Sequence, residues 1–136
     1  MSLIFEKVLV LKNVSLFTGV SENILSEIVA CGEEVSAAEG KDVVKEGQAW
    51  NDLYIVLRGQ IKEHKNGREI RDFNAPVSFG ELAALDAETA PATFTAQEDS
   101  TLLKLSGKEL YRLMNEHKAL EKSMFKALCQ RLREQG

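Results

Sequence analysis

Three hydrophobic patterns follow one another along the chain. Up to about Gly32, apolar residues recur at helical spacing. Val8, Leu11, Leu16 and Phe17 anchor a first stretch that breaks briefly at Asn13. Ile24, Leu25, Ile28 and Val29 mark one face of a second helix, with Ser21 placed as its N-cap and Gly32 as its C′ residue. From Glu33 to Leu105 the pattern changes to short β-rich runs punctuated by Gly40, Gly47, Gly59 and Gly67. Asn66-Gly67 predicts a tight hairpin, because such a turn needs positive φ at both central residues. "DLYIVL" is apolar on both faces, as in a strand covered on both sides. From Ser106 the helical spacing returns. Ser106 and Glu109 have the offset of a capping box, and Leu110, Leu113, Met114, Leu120, Met124, Leu128 and Leu132 supply an apolar stripe.

These patterns predict one domain over residues 1–136, with a helical lead (1–32), a β-roll (33–105) and one trailing helix (106–134). The expected fold class is mainly β, an antiparallel roll or jelly roll flanked by N- and C-terminal helices. A length of 136 residues and 44% hydrophobic content suit one domain with a real core. The net charge of −4 argues against a surface made for nucleic acid. On the trailing helix, Lys118, Lys122, Lys126, Arg131 and Arg133 read as a solvated face. No apolar run is long enough for a membrane span, and the start lacks the features of a signal peptide. Cys31 and Cys129 fall in helical apolar patterns. They predict buried free thiols and a reducing, cytoplasmic setting.

Chemistry concentrates in "FGELAALDAETAPATFTA". Gly80 permits a sharp turn after Phe79, and "ELAAL" favours a short helix whose first N–H groups suit an anion. Glu81 in its first turn is placed to accept from sugar hydroxyls. A metal-dependent cupin-like enzyme is the reading from another class, but His64 and His117 are too few for three clustered ligands. His64 is expected to face solvent near a hairpin end, and His117 to pack at the edge of an apolar stripe. No nucleophile arrangement is apparent, so catalysis is not expected. Trp50, beside a turn, is expected to cover an edge of the barrel.

The whole pattern resembles a cyclic nucleotide-binding domain of the kind found in catabolite-activator-type regulators, cyclic-nucleotide-dependent kinases and gated channels. "LKNVSLFTGVSENILSEI" resembles its leading helices, "VVKEGQAWNDLYIVLRGQI" its central strands, and "FGELAAL" its phosphate-binding cassette. The resemblance implies cyclic AMP or cyclic GMP as ligand and signalling by movement of the outer helices. It also implies an effector domain or a homodimer contact through those helices. Ligand contacts are implied at Phe79, Gly80, Glu81, Leu82 and Ala83, then at Ala90, Pro91 and Ala92. The family places an arginine and then a small residue with a free N–H where this chain has Ala90 and Pro91. Ala90 carries no charge and Pro91 has no N–H. Arg71, Arg68, Lys41 and Lys45 are the cations that another strand could bring in instead. This chain alone is not expected to read duplex DNA, since no recognition helix follows the trailing helix.

Overall fold

The computed structural model describes residues 3–135; Met1, Ser2 and Gly136, the ends of the predicted domain, lie outside the described residues. The lead consists of α1 (Ile4–Leu11), a 3-10 turn (Ser15–Phe17) and α2 (Glu22–Cys31). The Ser21 hydroxyl accepts from the Ile24 N–H at 3.4 Å, as its N-cap position predicts. Gly32 departs from expectation. Its φ of −85° and ψ of 163° are extended rather than left-handed. The reason for glycine there is proximity: a Cβ would lie 2.7 Å from Leu103 Cδ1.

Ten strands follow: β1 (Glu33–Ala37), β2 (Asp42–Val44), β3 (Ala49–Trp50), β4 (Asp52–Arg58), β5 (Gln60–Lys65), β6 (Arg68–Asn74), β7 (Val77–Phe79), β8 (Glu88–Thr89), β9 (Thr93–Ala96) and β10 (Ser100–Ser106). They form two antiparallel four-stranded sheets, ordered β1-β10-β4-β7 and β2-β9-β5-β6, plus the small pair β3-β8. This is the expected β-roll with flanking helices. The β5–β6 hairpin turns at Asn66 (φ 55°) and Gly67 (φ 75°), the positive pair that the sequence predicts.

Both faces of β4 are buried, against different layers. Leu53 and Ile55 join the cluster under the helices, while Tyr54 and Val56 point into the roll. β10 divides in the same way, with Leu103 and Leu105 toward the helices and Leu102 toward the roll. Period-two alternation places successive side chains on opposite faces, so one sheet serves two cores.

The trailing segment is not one helix. α4 (Gly107–Glu116) and α5 (Lys118–Gln135) meet at His117, whose φ of −130° and ψ of 95° are extended. The His117 N–H closes α4 on Leu113 O (2.8 Å), while its own carbonyl accepts from Leu120 (3.0 Å). Its ring lies against α2, with Nε2 2.7 Å from Glu27 Oε2. Leu110, Leu113, Met114, Leu120 and Met124 are buried in the helix-side core as expected, but Leu132 is exposed. Ser106 caps α4 by accepting from the Glu109 N–H at 3.2 Å, yet the Glu109 carboxylate turns to Arg112 instead of completing the box.

Cys31 and Cys129 are free, but half-buried rather than buried. Burial still raises the Cys31 thiol above its ordinary pKa, against the opposing pull of Arg112. His64 is also half-buried and does not face solvent freely. Its Nε2 lies 2.7 Å from Thr95 Oγ1, which donates to Asp42. Glu27, Glu116 and His117 bring potential metal ligands within 4.8 Å, but both Glu116 oxygens already accept from Arg112. Among the described residues, no helix is long and apolar enough to cross a membrane.

Candidate functional site

The cassette sequence folds at the mouth of the roll. β7 ends at Phe79, and Gly80 turns the chain with a φ of +88° into α3 (Glu81–Leu85). Only glycine suits this corner. It requires positive φ, and a Cβ there would lie 2.7 Å from both Asp52 O and Trp50 Cζ2. The corner borders a cavity of about 420 Å³, within the range of small-molecule sites.

Aromatic rings line its depth. Phe79 stacks on Phe94 at 4.7 Å and on Tyr54 at 5.2 Å, while Trp50 meets Phe94 edge-on at 5.1 Å. Trp50 therefore does not cover an outer edge. It is buried inside the roll because the short β3–β8 pairing turns it inward, and it lines the cavity.

Charge enters from three directions. Glu63 and Arg71 are cross-strand partners on β5 and β6, with Arg71 poised 5.8 Å over the Phe73 ring. Burial raises the Glu63 carboxyl above its usual pKa, and Arg71 opposes that shift. Arg71 is the one cation among the four considered from sequence that lines the cavity. The second cation was not foreseen there: Arg131 of α5 reaches over the rim and pairs with Glu81 Oε1. It is thus not part of a solvated face. Leu128, Leu132 and Gln135 complete this wall, so α5 forms one side of the cavity.

The predicted site residues divide. Phe79, Gly80, Glu81, Leu82 and Pro91 border the cavity. Ala83 and Ala92 are buried and do not border it, and neither does buried Ala90, whose N–H donates to Gln48 O (2.8 Å) and whose carbonyl accepts from Gly47 (2.9 Å). Glu81 is 4% exposed. Its second oxygen, Oε2, has no partner among the described residues, and neither does Trp50 Nε1.

Residues 34–117 match the family of the cyclic nucleotide-binding domain. The chain belongs to that family. Over 93 residues, 67% of its length, this cyclic nucleotide-binding domain is 37% identical to a cGMP-dependent protein kinase of Toxoplasma gondii, of which it spans only 9%. Among solved structures, it superposes on the N-terminal domain of a transcriptional regulator from Streptomyces coelicolor. That likeness has a TM-score of 0.80 and 26% identity, covering 91% of this chain and 90% of the other. It matches the catabolite activator protein of Thermus thermophilus at a TM-score of 0.80 and 25% identity, over 88% of this chain and 59% of that one. Domains of this family are regulatory modules of kinases and transcription regulators.

Proposed function

We propose that the chain is a ligand-sensing regulatory module within a larger protein, taking a cyclic nucleotide weakly and in an altered manner in the cavity beside Gly80 and Glu81. The observation that carries this reading is a formed cavity whose cassette lacks its two phosphate anchors. Gly80, Glu81, Leu82 and Pro91 form its rim. At the arginine position stands buried Ala90, with its N–H already used; at the next stands Pro91. Losing one partner of a buried charge pair costs about 2–5 kcal/mol, or roughly one and a half to three and a half decades of affinity. Arg71 and Arg131 support residual binding. The single domain acts in the cytoplasm, where free thiols persist, and passes its signal to an effector or a second copy through the outer helices.

A second reading, a partner-holding module without nucleotide, is favoured by one observation: Arg131 already occupies Glu81. Calorimetry separates the two. Wild type is expected to show no saturable binding of cyclic AMP or cyclic GMP at low micromolar concentration, with binding appearing near millimolar. Ala90→Arg combined with Pro91→Ala restores a planar cation and an amide, and should strengthen binding by about two decades. Tight wild-type binding, or a folded double variant that gains nothing, overturns the proposal.

A further inference from the structure

Three side chains that can ligate a metal converge on the joint between α4 and α5. Glu27 comes from α2, Glu116 from the last position of α4, and His117 from the joint itself. Each offers one ligand atom, and these atoms all lie within 4.8 Å of one another. None of the three borders the cavity beside Gly80.

His117 is the member that needs a partner. Its Nε2 is buried and has no hydrogen-bond partner among the described residues. Glu27 Oε2 stands only 2.7 Å away, a close approach without hydrogen-bond geometry. Buried ring nitrogens are normally satisfied, and an imidazole nitrogen grouped with carboxylate oxygens is a donor set for a divalent ion.

Arg112 does not take that place. Its Nη1 reaches both Glu116 oxygens, at 3.0 and 3.2 Å, but a metal needs only one of them. The side chains of that pair are 43% and 48% exposed, so the pair contributes little. Meanwhile Nε and Nη2 hold Arg112 on Glu109 Oε2, at 3.0 and 2.6 Å. Glu116 can therefore turn one oxygen toward His117 while Arg112 stays anchored on α4.

We infer that Glu27, Glu116 and His117 form a divalent-metal site of the zinc class, with water in the fourth place. Two ligands of a tetrahedral zinc ion stand roughly 3.4 Å apart, so the three atoms must shift relative to one another by at most about 1.4 Å. Two of the ligands are flexible glutamates, which can take up that difference. A bound ion joins α2 to the α4–α5 joint and stabilises the folded chain. The site shares no residue with the cavity, so it stands or falls independently of nucleotide binding.

Zinc is titrated into the untagged chain by calorimetry, with melting temperature and the imidazole NMR signals followed in parallel. One ion per chain is expected at micromolar concentration, raising the melting temperature. The chain has two histidines, and the His117 ring signals should shift while those of His64 stay. His117→Gln and Glu27→Gln should each weaken binding by about a hundredfold or more, since groups that merely orient a metal ligand are worth about 10–100-fold. Cys31→Ser combined with Cys129→Ser should leave binding unchanged. Binding that survives His117→Gln, or that disappears in the double thiol variant, places the ion elsewhere and overturns the inference. So does the absence of saturable binding. Should a ligand variant fail to fold, the wild-type ring signals decide, and an unmoved His117 overturns the inference.

Discussion

Arg131→Ala tests whether α5 is fastened to the cavity by the Glu81 pair. The Glu81 side chain is 4% exposed and that of Arg131 36%, so the pair stands between the buried and the surface case. Breaking a fully buried pair costs about 3–5 kcal/mol, because the remaining charge is stranded. An exposed pair contributes about 0.2–1 kcal/mol. Removing Arg131 strands a carboxylate that is 4% exposed in the pair, while the Arg131 side chain is partly hydrated even when paired. An intermediate loss of about 2 kcal/mol is therefore expected. Unfolding entropy of about 2.1 cal/mol/K per residue makes that a fall in melting temperature of roughly 7 °C for a chain of this length. Urea denaturation followed by circular dichroism gives the free energy directly. In a Glu81→Gln background the same Arg131→Ala change should cost less than about 0.5 kcal/mol, since the stranded charge is gone. Lys12→Ala is the internal control: its partner Glu22 has a side chain 60% exposed, so the loss should stay under about 1 kcal/mol. A fully additive cycle, or an Arg131→Ala protein as stable as wild type, would refute the reasoning.

Two further outcomes follow from the core. Leu113→Ala should lower stability by about 2–5 kcal/mol, because Leu113 is 0% exposed in the helix-side core; an unchanged urea midpoint would show that α4 is loosely held. Tyr54 has its hydroxyl pKa pushed from 10.0 up to about 12, first by burial and then by Asp52 and Glu33. A raised folded-state pKa means that this stability is complete below pH 10 and is lost as pH rises toward 12. The slope within that window is about 1.4 kcal/mol per pH unit. Tyr54→Phe should lack this step in denaturation midpoints taken across the window, and an identical alkaline profile in both proteins would count against it.

Local signals were legible where the cause was local. Asn66-Gly67 announces its turn because two positive φ values are a property of those two residues. The two apolar faces of "DLYIVL" announce a doubly covered strand, and β4 is one. Gly80 and Glu81, singled out by the strand-to-helix turn, border a cavity. Trp50 was not, because its direction is fixed by pairing with Glu88, 38 positions away, in a strand too short to show alternation. Arg131 looked like any cation on a helix face. Only the course of α5 across the roll brings it to a carboxylate 50 residues earlier. The break at His117 was hidden because Leu113, Leu120 and Met124 still fit a helical stripe. What stops α4 is the extended backbone at His117, whose ring rests on Glu27 of another helix.

The seating of α5 has a mechanical consequence. Near its N-terminal end, the Ser123 hydroxyl lies 3.0 and 2.8 Å from the carbonyls of Leu16 and Thr18, which share its proton and tie the helix to the 3-10 turn. Ser123 is therefore a fulcrum with unequal arms. At 1.5 Å per residue, about 18 Å of helix extends beyond it to Gln135 and about 9 Å runs back to the joint at His117. For a rigid helix of that rise, a tilt of about 10° at the fulcrum swings the Gln135 end by roughly 3 Å and the joint by half as much in the opposite direction. The long arm carries Arg131 and Leu132 over the cavity, and the short arm ends beside Glu27 of α2. Any tilt of α5 about Ser123 would therefore carry its Arg131 end further than its His117 end, and in the opposite direction.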